Sequence, residues 1–168
     1  MEWVISIVVM LSLIGSIMWI RPSPRERMVS QVRLHARKLG FIVQIAQLET
    51  TRAKGEMEPE KVRLPAYRIL RNDLSRDEKD RWTSWQIFRT DNVANQGLPQ
   101  GWSWKKGEYE LSKDACEIIS QLIAQLPKEV RALESSPMHF SVYWREAGGI
   151  EQLDAIHLAI QPILKAKI

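Results

Sequence analysis

Between Trp3 and Ile20 the chain runs for eighteen residues without a charge, and nothing else in the sequence narrows its possible structures as much. As a helix rising about 1.5 Å per residue the run is about 27 Å long, close to a hydrocarbon core of about 30 Å. Trp3 and Trp19 bracket it, Glu2 precedes it, and Arg21, Arg25 and Arg27 follow it. Indoles favour the headgroup level, and basic flanks stay on the cytoplasmic side. The expectation is therefore a single transmembrane anchor over residues 1–22, with Trp3 and Trp19 as membrane-interface anchors. The N-terminus is outside and the remainder lies in the cytoplasm of a bacterial-type inner membrane. A cleaved signal peptide fits less well, since it needs a basic start, a shorter apolar stretch and small residues at the cut. Here Glu2 stands at the start and Ile17-Met18-Trp19-Ile20 at the end.

Residues 23–168 are enough for one domain. With 45% hydrophobic and 26% charged residues and 7 Trp, the chain can bury a core. The single Cys116 excludes an internal disulfide. A net charge of +4 suits anionic lipid, nucleic acid or an acidic partner, and an excess this small is also common in domains that bind none of them.

Ser23-Pro24-Arg25-Glu26 carries the elements of a capping box with proline at the first helical position. The helix it opens, residues 23–40, places Met28, Val32, His35, Ala36 and Leu39 on one side and ends at Gly40. Arg33, Arg37 and Lys38 lie largely outside that stripe, giving a basic amphipathic exit helix. Strands follow at Phe41–Leu48, Val62–Leu70 and Trp82–Arg89; Pro65 argues that the second is an edge or carries a bulge. Residues 91–108 form a long Trp- and Gly-rich loop with room for a short strand. Ser112 caps a helix reaching Leu126. Met138, Phe140, Val142 and Trp144 alternate with His139, Ser141, Tyr143 and Arg145, the clearest strand pattern in the chain. Gly148-Gly149 leads into a last helix that Pro162 should kink or fray. The expected fold is α+β, in the order α-α-β-β-β-α-β-α. It joins an N-terminal single transmembrane helix to a mainly antiparallel sheet of about four strands with two to three packed helices.

No motif announces chemistry. His35, His139 and His157 are scattered and belong to no metal-ligand spacing, Gly97 to Gly107 holds no phosphate-binding pattern, and no serine sits in a nucleophile elbow. No catalytic, cofactor-binding or metal-binding residue is expected, and no cofactor. The best candidate constellation is Trp102, Trp104, Lys105 and Lys106, where aromatic and basic side chains on one loop suit a protein partner, a headgroup layer or a base. The reading that outweighs it is that the two indoles fold inward and close one end of the sheet, because exposed tryptophan is costly in a small domain. Arg21, Arg25, Arg27, Arg33, Arg37 and Lys38 are candidate lipid-facing residues.

The membrane exit Ile20-Arg21-Pro22-Ser23-Pro24-Arg25-Glu26-Arg27 resembles that of the YajC-type accessory subunits of the bacterial Sec translocase, in which one span meets an arginine-proline step and a basic cytoplasmic helix. The resemblance covers residues 3–40 and implies a non-catalytic accessory role; it transfers no functional residue. The expected function is a membrane-anchored, non-catalytic interaction module, an accessory or scaffolding subunit with a protein partner in or at the inner membrane. One alternative is a peripheral binder of anionic lipid or nucleic acid through the basic helix and the Trp-Lys loop. Another is an enzyme with a scattered site, for which His139, Tyr143 and Arg145 on one strand face are the candidates.

Overall fold

A computed structural model describes residues 2–19, 23–50 and 61–168; of residues 16–19 it describes the backbone alone. The elements are α1 (Glu2–Trp19), α2 (Pro24–Lys38), β1 (Ile42–Glu49), β2 (Lys61–Leu70), α3 (Arg76–Asp80), β3 (Trp85–Phe88), β4 (Ser103–Lys106), α4 (Lys113–Gln125), β5 (Val130–Ser135), β6 (His139–Trp144) and α5 (Gly149–Lys165).

The fold is α+β around one six-stranded antiparallel sheet in the order β1-β2-β6-β5-β3-β4, a correction to the expected four. The missing strand is β5, whose Val130-Arg131-Ala132-Leu133-Glu134-Ser135 lacks a clean alternation because both its faces are largely buried. The other addition, β4, is the short strand inside the 91–108 loop. β2 is an inner strand, yet Pro65 falls just outside the stretch Ala66–Leu70 that pairs with β6, so that ladder loses no donor.

No helix among the described residues is long and apolar enough to cross a membrane. This overturns the expected span and, with it, the inner-membrane placement and the cytoplasmic side. α1 has 18 residues and begins on Glu2, whereas spanning takes about 20 consecutive apolar residues. Its described apolar side chains stand exposed, Trp3 at 69% and Met10 at 66%, and none of those described enters either core cluster.

The helices cover one face of the sheet. Ser23 caps α2 through a complete capping box with Glu26, and Val32 and Ala36 of its apolar stripe are fully buried. α2 is tied to α5 by His35 Nε2 and Asp154 Oδ1 at 2.7 Å. α4 buries Ala115, Ile119, Leu122 and Ile123, α5 buries Leu153, Ile156, Ala159, Ile160 and Ile163 and continues through Pro162 to Lys165. Beneath them lie Tyr67, Trp85, Ile87, Leu133, Phe140, Val142 and Trp144. Edge-to-face ring pairs, Trp85 with Phe140 and with Trp104, and Tyr67 with Trp144, knit this layer.

Two polar anchors close its ends. At the β6–α5 joint, Glu146 is buried with φ 56°. Its carboxylate accepts from Arg33 Nε at 2.7 Å, Arg33 Nη2 at 2.9 Å and the Tyr67 hydroxyl at 2.8 Å. At the other end, buried Arg71 and the Ser135 hydroxyl both donate to the Ile168 carbonyl, each at 2.8 Å. The Arg71 guanidinium lies 4.2 Å from the Trp82 ring centroid, and burial lowers its pKa to about 10.

The second face has a cluster of its own, Leu48, Leu64, Ala66, Phe88, Ala132 and Tyr143, made of strand residues only. It is buried by curling. β1 and β4 are opposite edges, yet the Lys105 ammonium of β4 donates to the Glu49 carbonyl of β1 after passing over Phe88.

Trp144→Ala is expected to cost about 3–5 kcal/mol in denaturant unfolding, the usual effect of truncating a buried tryptophan. Gly107→Ala should also destabilise clearly: Gly107 has φ +89° and an added Cβ would stand 2.6 Å from the Trp85 Cβ. A near-neutral result for either would contradict this packing.

Candidate functional site

The register of the strands sets side chains far apart in sequence into rows across the curled face. One row reads Ala66, Tyr143, Ala132, Phe88, and is apolar apart from the phenol. The next reads Ile42, Arg68, Ser141, Glu134, Gln86, with His139 beside it on β6. The polar row is cross-linked. The Tyr143 hydroxyl donates to the Glu134 carboxylate, Arg68 Nη1 donates to Gln44 Oε1 at 2.9 Å, and Ser141 Oγ meets His139 Nδ1 at 3.1 Å. Arg68 Nε is buried and has no hydrogen-bond partner among the described residues.

Burial first, then the bond to Glu134, pushes the Tyr143 phenol well above its ordinary pKa, against the pull of the Arg68 guanidinium. His139 is lowered by burial and by the Arg68 charge, with Glu134 opposing, so its neutral form is favoured. These groups hold protons in place. Ser141 is fully buried, and burial raises the Cys116 thiol, which makes it a weaker nucleophile at neutral pH. Among the described residues no group of three or more His, Cys, Asp or Glu could hold a metal ion.

His139 and Tyr143 share the face expected from the alternation, while Arg145 lies beyond the end of β6 and is exposed. Arg68, Glu134 and Gln44 were not singled out in the sequence. Their only local signal is a polar residue in a strand: Arg68 meets Gln44 across a separation of 24 residues and faces Ser141 on β6, while Glu134 reaches Tyr143 at a separation of 9 across the β5–β6 hairpin.

The Trp-Lys segment resolves differently. Trp102 and Trp104 are 2% and 3% exposed, so no indole surface is offered to a partner there. Trp102 lies under the Arg89 guanidinium, 4.8 Å from its ring centroid. Trp104 stacks edge-on with Trp85 and donates from Nε1 to the Gln96 carbonyl at 2.8 Å. Large aromatic area is better buried than wet in a domain this small. Lys105 and Lys106 remain exposed.

Of the basic residues, Arg33 is engaged by Glu146, which raises its pKa. Arg25 and Arg37 line an open cleft along α2 with Ser30 and Leu34. Arg27 and Lys38 are exposed. Arg21 and the side chain of Trp19 lie outside the described residues, and Trp3 is exposed.

The two edges of the sheet are unlike. β4 is four residues long, ends in two lysines and pairs with β3 through a register shift; short length, lysine and irregularity are the usual protections of an edge. β1 has eight residues, Ile42-Val43-Gln44-Ile45-Ala46-Gln47-Leu48-Glu49, with no lysine, proline or glycine, and its pairing with β2 is continuous from Ile42 to Glu49. Ile42 and Ile45 are 40% and 60% exposed. Among the described residues β1 is the less guarded edge, met by Lys105 at the Glu49 carbonyl near its end.

Burial, then contact with a carboxylate, raises both Tyr67 and Tyr143 above the ordinary value of 10.0. Their contribution to stability is therefore complete below about pH 10 and is lost as pH rises further. In an alkaline titration followed at 295 nm, phenolate from these two tyrosines should appear only with loss of the near-ultraviolet circular dichroism of the fold. Full ionisation of either in the folded protein would contradict their placement.

No family model, curated protein or solved structure matches this chain, so its functional reading rests on its own residues.

Proposed function

We propose that this chain is a non-catalytic protein-interaction module, an accessory or scaffolding subunit that takes its partner by strand addition on β1. The observation that carries the reading is the contrast between the two edges. One is short, lysine-rich and irregular; the other is long and regular, met by Lys105 at the Glu49 carbonyl near its end, with isoleucines exposed on both faces. An added strand gains main-chain hydrogen bonds from the edge and specificity from alternate side chains. The polar row supports the non-catalytic half, because its phenol and its serine are buried and committed to each other's neighbours. At the margin of the open face, Gln44 and Arg68 give an incoming strand donors and acceptors beside Ile42.

The reading is tested by placing a benzophenone amino acid at Gln47 in the full chain, with Lys113 at the start of α4 as the control position. Ultraviolet irradiation in cells should give adducts from position 47 and few from 113. Ile45→Lys should abolish the adducts while shifting the thermal midpoint by no more than a degree or two, since exposed substitutions stay within about 0.5 kcal/mol. Equal adduct yields at both positions would remove the basis for the proposal.

A further inference from the structure

The partner strand can be specified. We infer that β1 pairs with β1 of a second copy of this chain, antiparallel about a two-fold axis through Ile45, joining two six-stranded sheets into one of twelve. This inference rests on the strand-addition reading above and names its partner.

A two-fold axis perpendicular to a sheet keeps each face on its own side, and side chains alternate between faces along a strand. Facing residues must therefore share a face, so the axis passes through a residue position and not between two. The midpoint of β1 falls between Ile45 and Ala46, and of these two Ile45 gives the better match. On the helix-covered face it sets Ile45 against its own copy, Val43 against Gln47, and Phe41 against Glu49. On the curled face it sets Ile42 against Leu48 and Gln44 against Ala46. Both exposed isoleucines gain an aliphatic partner, and no charge faces a like charge, which would be destabilising across a strand pair. An axis at Ala46 instead sets Val43 against Glu49 and Ile45 against Gln47, leaving both exposed isoleucines without an aliphatic partner. The helices also leave the middle of the edge uncovered, since Ile45 and Gln47 lie on the helix-covered face and are still exposed. The opposite edge cannot substitute, being short and bearing Lys105 and Lys106.

The self-facing position makes a charge test specific. In the full chain, Ile45→Lys opposes two ammonium groups across the axis and Ile45→Glu two carboxylates, so each variant alone should lose self-association by tenfold or more. An equimolar mixture of the two should recover it as a heterodimer, which neither misfolding nor association through the apolar α1 would produce. Register is read separately, with single cysteines at positions 44, 45, 46 and 47 in a Cys116→Ser background under mild oxidation. Paired Cα atoms of an antiparallel ladder lie about 4.5–5.5 Å apart, within disulfide reach. Cross-linked dimer should peak at Ile45→Cys. A peak at another position overturns the register, and a flat profile without charge rescue overturns self-pairing. If self-pairing fails while position 47 still gives photo-adducts with another protein, strand addition stands with a different partner; if both fail, both readings fall.

Discussion

Among the described residues helices cover one face of the sheet only, and from that constraint the rest of this structure follows. Tyr67, Trp85, Phe140 and Trp144 are buried by α2, α4 and α5, but Leu64, Phe88, Ala132 and Tyr143 have no helix above them. Apolar area removed from water is worth about 25 cal/mol per Å², and the available route is for the sheet to bend until its own residues meet. Antiparallel strands twist readily, and the bend brings Lys105 on one edge to Glu49 on the other. The small residues Ala66 and Ala132, fully buried at its middle, leave room for it.

That curvature explains why some polar groups became a network while others stayed at the surface. Arg68, Ser141 and Glu134 are neighbours on β2, β6 and β5, and bending lowers the solvent share of each. A buried polar group costs least when paired, and the Tyr143–Glu134 and Ser141–His139 contacts meet that need. On the helix side Glu146 performs the same office for Arg33 and Tyr67.

Local physics was legible in the sequence, and long-range physics was not. The Ser23 and Ser112 caps, the α4 stripe Ala115, Ile119, Leu122 and Ile123, and the alternation of Phe140, Val142 and Trp144 each depend on residues a few positions apart, and each is where the pattern puts it. β5 escaped because a strand buried on both faces does not alternate. Trp102 and Trp104 sit in a loop among glycines and lysines, a setting that suits a surface, yet the cost of exposing indole already favoured closure of the core; what the sequence did not show is their partners, Arg89 and Trp85. The apolar N-terminal run shows the limit of composition, since no helix among the described residues is long and apolar enough to cross a membrane. Neither β1 as an open edge nor the Arg68–Tyr143–Glu134 group could be seen without the strand order.

The strand order also sets a timetable for synthesis. β1 and β2 are sequence neighbours and can form a hairpin as soon as both exist, whereas the second neighbour of β2 is β6, which begins 69 residues beyond Leu70. At about 5–20 residues per second on a ribosome that interval lasts roughly 3–14 s, against microseconds for closing a hairpin. Throughout it the nascent hairpin carries two bare rims, of which the native protein later covers one. A growing chain of this topology therefore depends on its surroundings, or on the polar and charged side chains Gln44, Gln47, Arg63 and Arg68 along that ribbon, to stay apart from its neighbours until β6 emerges.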